Sequence, residues 1–140
     1  MEFRKFNNYY AVRIDKGEEI VSKIKELCNI EKIKLGIISA IGACNLIEIG
    51  LFNVNTREYK TEIFEGMYEI TSLSGNITVK DGESYLHMHV NFSDETNTVR
   101  GGHFVRANVS AACEVIITVI AGEVSREFDQ EIGLNLLKFN

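Results

Sequence analysis

The sequence predicts a single α+β domain: a mainly antiparallel sheet of about seven strands flanked by a few helices. Three observations lead there. The chain has 140 residues and a mass of 15.8 kDa, the size of one domain with a core of its own. From Asn45 onward, segments rich in Ile, Val, Phe, Tyr and Thr follow one another at short intervals, the mark of successive strands. Only one segment, just behind Asp15, carries strong helical spacing. No linker, repeat or low-complexity stretch interrupts residues 1–140.

The elements follow in order. YYAVRI, residues 9–14, alternates and is rich in strand formers, so it reads as the first strand. Asp15-Lys16-Gly17-Glu18 matches a capping box, an acceptor with Glu three residues later. Behind it Ile20, Val21, Ile24, Leu27 and Cys28 recur at helical spacing, and Glu19 is placed to pair with Lys23. IEKIKLGIISAIGAC reads as a short helix or loop passing into a buried strand that ends near Gly42. NLIEIGLFNV, REYKTEIF and MYEITSLSGNITVK come next, separated by polar or glycine pairs. YLHMHVNF and GGHFVRANV flank the polar loop SDETNTVR, a hairpin arrangement. CEVIITVIAGEV does not alternate and reads as a central strand. The tail REFDQEIGLNLLKF reads as a short turn or helix leading to a last strand.

Composition excludes several functions. A net charge of −5 and a pI near 5.2 oppose a general affinity for nucleic acid. The longest apolar run, Val115 to Ala121, falls far short of the ~20 residues a membrane span needs. MEFRKFNNYY has no signal-peptide pattern, and Cys28, Cys44 and Cys113 form no Cys-x-x-Cys. Reduced, buried thiols in a cytoplasmic protein are the expectation.

The chemistry concentrates in the histidines. All three in the chain, His87, His89 and His103, fall in YLHMHVNF and RGGHF. On a strand, residues i and i+2 share a face, so His87 and His89 point together with Tyr85 and Asn91. Leu86, Met88, Val90 and Phe92 make the other face apolar and turn it to the core. If GGHFV returns beside YLHMHVNF, His103 sits across from the pair. Three imidazoles converging on one point make a catalytic-type zinc shell with its fourth position open. Softness favours Zn²⁺ among the divalent metals, although Fe²⁺, Mn²⁺, Ni²⁺ and Co²⁺ fit the same donors. Gly101 and Gly102 remove side chains beside that point and leave room for a bound molecule. The alternatives are a histidine pocket without metal and ordinary water-facing strand residues.

These residues also resemble a known family. The run GMYEITSLSGNITVKDGESYLHMHVNFSDETNTVRGGHFVRANVSAACEVIITV is similar to the core of the PPC domain, the plant and prokaryote domain that accompanies AT-hooks in plants. Arg13 followed by Gly17-Glu18, the Ile41–Ala43 IGA and the REFDQEIGLNLLKF tail agree with it. The resemblance implies a homotrimer and a metal on His87, His89 and His103. A more distant likeness is to acetolactate decarboxylase, whose zinc is held by His-x-His and a later His; it suggests Lewis-acid chemistry on a small oxo- or hydroxy-acid. The sequence has no AT-hook.

The expectation is therefore a homotrimeric protein that holds a divalent metal, best Zn²⁺, and binds a small anionic ligand. Arg100 or Arg106 is the two-pronged partner for a carboxylate, with Gly101, Gly102 and Arg13 beside them; a structural ion pair is the alternative for Arg13. Glu69 or Glu114 is the candidate base. A regulatory or DNA-binding module of the PPC type is the competing reading, and an assembly module with incidental histidines is a third.

Overall fold

In the computed structural model, which describes residues 1–139, the chain is mostly β, with 69% of it in strands and a single helix. The eight strands are β1 (Glu2–Phe6), β2 (Tyr9–Asp15), β3 (Gly36–Asn53), β4 (Glu58–Lys80), β5 (Glu83–Ser93), β6 (Val99–Val119), β7 (Ser125–Asp129) and β8 (Leu134–Lys138), with helix α1 at Ile20–Glu31. They form one sheet in the order β1-β2-β6-β3-β4-β7-β8, while β5 pairs with both β4 and β6. The pairings β3–β4, β4–β5, β5–β6 and β6–β3 therefore close a ring, which removes the edges of these four strands.

Several elements differ from the sequence reading, each for a physical reason. β1 adds a strand: all five residues of EFRKF are exposed, so no core-facing alternation marks it, and it pairs with β2 across a turn in which Asn7 takes φ +53°. The helix begins later than the Asp15 box implies. Glu19 is its cap, its carboxylate accepting from the Val21 and Ser22 N–H groups at 2.8 Å. Glu18 reaches back to the Asp15 N–H at 2.8 Å, so half of the box exists, but Gly17 at φ +86° makes the segment a turn. Lys23 consequently pairs with Glu18 and Glu26, not with the capping Glu19.

The strand expected to end near Gly42 runs on to Asn53. A Cβ at Gly42 would meet the Ala112 carbonyl oxygen and Cys113 Cα at 2.6 Å. The glycine thus serves a close approach of β6, where the β3–β6 register shifts between Gly42 and Cys44, while the β3–β4 register shifts between Ala40 and Gly42. The pieces read separately in REYKTEIF and MYEITSLSGNITVK are likewise one strand, β4, and GGHFVRANV continues into CEVIITV as β6. β6 is central as expected, pairing with β2, β3 and β5. The tail is a hairpin, β7–β8, in place of a turn or helix before one strand: the Asp129 Oδ1 accepts from the Glu131 and Ile132 N–H groups, and Gly133 at φ +86° turns the chain back.

The core lies between α1 and the inner face of the sheet. Ile20, Ile24, Leu27 and Cys28 of α1 are buried with Ile38, Ile47, Leu73, Met88, Val90, Phe92, Val115 and Ile117. The parity of β5 thus holds where it matters, with Met88, Val90 and Phe92 inside and Leu86 partly buried. Cys28, Cys44 and Cys113 are free and buried. Burial pushes each of their thiols up to about 12, which keeps them protonated and inert. No helix among the described residues is long and apolar enough to cross a membrane.

Candidate metal centre

Two tight connections bring the histidines together. Asp81-Gly82, both at positive φ, turns β4 into β5, the hairpin chemistry of an Asp-Gly pair. The loop after β5 is tied by Asp94, whose Oδ1 accepts from the Thr96 and Thr98 N–H groups and from Thr96 Oγ1. Hydrogen bonds from Thr96 and the Arg100 guanidinium hold the Asp94 carboxyl well below the usual carboxylate range. β6 leaves that loop antiparallel to β5 in a register that sets His103 directly opposite His89. At His103 the strand also meets Gly50 of β3, so the third imidazole stands where the ring of strands closes.

The imidazoles form a nearly equilateral triangle. Ring centroids lie 5.3 Å apart for His87–His89, 5.3 Å for His87–His103 and 5.4 Å for His89–His103. Their candidate ligand atoms all fall within 4.8 Å of one another. Zinc–nitrogen bonds of about 2.0–2.1 Å bring two ligands of one ion to within about 4.2 Å, a change that small χ rotations supply. Burial, then the neighbouring His87 and His89, lower the His103 pKa to about 4. Burial, then Arg126 and His89, lower that of His87. Both rings are therefore neutral at neutral pH and present lone pairs, the state a metal ligand requires. Tyr59 lies edge-on to His103 at 5.6 Å. It is admitted by Gly50, where a Cβ would overlap the Tyr59 ring.

The triangle forms part of the wall of a cavity of about 630 Å³, which Gly102, Tyr59, Tyr85, Asn76 and Arg126 also line. Among the described residues no Asp or Glu lines it. Sequence reasoning missed Arg126. Its Nε donates to Thr78 Oγ1 at 2.8 Å, Nη1 to the Asn135 carbonyl at 2.8 Å and Nη2 to Asn76 Oδ1 at 2.9 Å. Its guanidinium lies 4.7 Å from the Tyr85 ring centre. A hollow of similar volume, about 650 Å³, lies elsewhere, lined by residues of β1, β2, β3 and β6, and holds no histidine.

Of the residues singled out in the sequence, the structure brings His87, His89, His103 and Gly102 to one cavity. The others lie outside it. Arg100 pairs with Asp94 at 2.7 Å and lies over the Phe64 ring, on the strand face opposite the histidines. Arg106 pairs with Glu48 at 2.8 Å, and Arg13 with Asp15 and Glu2, the ion-pair alternative. Gly101 faces Asn91, whose side chain and the Val90 carbonyl fill the space a Cβ would need. Glu69 and Glu114 line a separate hollow with Gly42 and Thr71.

Comparison with known proteins agrees with this architecture. No curated protein matches the chain. The crystal structure of a protein from Bacteroides thetaiotaomicron, described provisionally as DNA-binding, is 30% identical with a TM-score of 0.97, covering 99% of this chain and 96% of that one. That of a metal-containing protein from Archaeoglobus fulgidus is 35% identical with a TM-score of 0.89, covering 99% and 97%. Acetolactate decarboxylase from Bacillus subtilis shares the fold alone, at 19% identity and a TM-score of 0.56 over 83% of this chain and 54% of the enzyme. The Plants and Prokaryotes Conserved (PCC) domain, the PPC domain of the sequence resemblance, matches residues 1–121, and the chain belongs to that family.

Proposed function

We propose that this protein is a homotrimer that holds one divalent metal ion, best Zn²⁺, on His87, His89 and His103, and binds a small anionic ligand beside it. The observation that carries the reading is the convergence of three imidazole ligand atoms within 4.8 Å on the wall of a cavity. The metal-containing relative from Archaeoglobus fulgidus supports it. A bound zinc ion would supply Lewis acidity and acidify a coordinated water. The chain's own part is to offer the neutral nitrogens of His87 and His103 beside His89 and to orient His103 against Tyr59. The reading stops at binding. No carboxylate lines the cavity among the described residues, and Glu69 and Glu114 face another hollow, so no general base is assigned.

Elemental analysis after purification without a nickel column should find about one zinc per chain, as a three-histidine site holds one ion. His87→Ala should bring this below about 0.2 per chain, since two imidazoles bind zinc far less tightly than three. Wild-type protein that already holds as little metal as the variant would sink the reading.

The trimer is supported by apolar residues on the outer face of the sheet. Ile37, Ile41 and Ile116 are 52%, 56% and 49% exposed, an arrangement that marks an interaction surface. Light scattering on the eluting protein should give three chain masses, and Ile41→Glu should shift it towards one. A wild-type monomer at micromolar concentration would remove this part of the proposal. Free buried cysteines support a cytoplasmic setting.

The provisional DNA-binding description of the Bacteroides relative favours a second reading, a regulatory module acting on nucleic acid. The net charge of −5 weighs against it. Retention of an AT-rich duplex at physiological salt in a gel-shift series would reverse the ranking.

A further inference from the structure

We propose that Arg126 anchors the carboxylate of a small monocarboxylic acid with an apolar body, bound in the cavity that the three histidines line. The inference rests on that cavity being the ligand site. Four observations carry it, two of Arg126 and two of the cavity. First, its three hydrogen-bond partners, Thr78, Asn76 and the Asn135 carbonyl, are all neutral, and no ion pair among the described residues includes it. Arg13, Arg100 and Arg106 each have a carboxylate partner. A half-buried guanidinium without one is a cation whose charge the fold leaves uncompensated, and partial desolvation makes an incoming anion worth more there than at the surface.

Second, the guanidinium is fixed in place. Contacts from β4 and β8 hold it on three sides while the Tyr85 ring covers one face at 4.7 Å. Three of its five N–H groups are committed, one on each nitrogen, which leaves one N–H on Nη1 and one on Nη2 to donate to an incoming carboxylate. Third, the cavity offers no competing acid. Its lining contains no Asp or Glu among the described residues, and a divalent ion on the histidines would add further positive charge. Fourth, the remaining walls are apolar: Phe52, Tyr59, Leu134 and Leu136 line the same space. With a volume of about 630 Å³ the cavity falls in the range of small-molecule sites, about 300–1,000 Å³. One guanidinium and apolar walls suit a singly charged acid with an alkyl or aryl body; inorganic phosphate gains nothing from those walls.

Calorimetric titration of zinc-loaded and metal-free protein with isovalerate, benzoate, their amides and inorganic phosphate tests this. The acids should bind at least about tenfold more tightly than the isosteric amides, a difference of about 1.4 kcal/mol. Asn76→Asp places a carboxylate against Arg126 while keeping the arginine and its packing. It should weaken the acids about tenfold and leave the amides unchanged. Arg126→Gln should abolish the preference for acid over amide, and neither variant should weaken zinc binding. Equal affinity of acid and amide in the wild type, acid binding that survives both variants, or phosphate binding above both acids would overturn the assignment. Zinc uptake that depends on His103 with no binding of either acid also overturns it, while the metal reading stands. Binding of the acids that depends on Arg126 in a chain that takes up no zinc upholds it, and the metal reading falls.

Discussion

Phe92→Ala is expected to cost the folded protein about 3–5 kcal/mol, the range for truncating a buried aromatic ring. That is a large part of the 5–15 kcal/mol that holds a typical domain together. Phe92 is fully buried. Its ring meets Phe64 at 5.3 Å and Tyr68 at 5.4 Å, both edge-to-face, so its loss removes aromatic pairing as well as buried area. In register it lies between Ile70 of β4 and Arg100 of β6, where β5 bridges the two strands and the ring of strands closes. The core therefore has little freedom to collapse into the space. Urea unfolding should show a lower midpoint with an unchanged slope, the signature of lost stability without a change in exposed surface. Phe92→Leu keeps much of the volume and should cost about half as much or less. A loss below about 1 kcal/mol for the alanine variant would mean that this junction is not what holds β5 in place.

The same strand shows what could be read from the sequence. YLHMHVNF gives its orientation away because Met88, Val90 and Phe92 alternate with His87, His89 and Asn91, and a period of two leaves no other face for the imidazoles. His103 follows because SDETNTVR is polar and short, so GGHFV returns beside its partner. Arg126 was illegible for the opposite reason. It reaches Thr78, 48 residues away, through a single parallel bridge between Val79 and Ser125, and no local pattern encodes that meeting. Gly42 misled because a glycine inside a strand pattern signals a break and a bulge alike. The tail misled because Asp129 accepts from the N–H groups two and three residues on, the arrangement of a helix cap, before Gly133 reverses the chain.

Acid is expected to destabilise the metal-free protein between about pH 6.5 and pH 4, and His103→Gln should remove much of that sensitivity. In the folded chain burial holds the His103 pKa at about 4, below the ordinary histidine value of 6.5. In that window the unfolded chain binds a proton at this position and the folded chain does not. Stability therefore rises with pH across it and falls as acid is added, with no contribution from this group above the unfolded value. A single group sets a ceiling of about 1.4 kcal/mol per pH unit on the slope, and partial exposure of the ring keeps the true slope below that. Metal acts against the same proton. At pH 7, zinc at one hundred times its dissociation constant should add about 2.7 kcal/mol. That gain should shrink as the pH falls, because each imidazole must be deprotonated to bind. Chelator should reverse it at neutral pH, and His103→Gln should lose both the gain and the acid slope. A wild-type chain whose unfolding midpoint ignores zinc at pH 7, yet falls as steeply in acid as that of His103→Gln, would show that the imidazoles neither hold a metal nor owe their neutrality to the pocket. The two effects share one cause: the packing that keeps protons off His103 also leaves its nitrogen free for a metal ion.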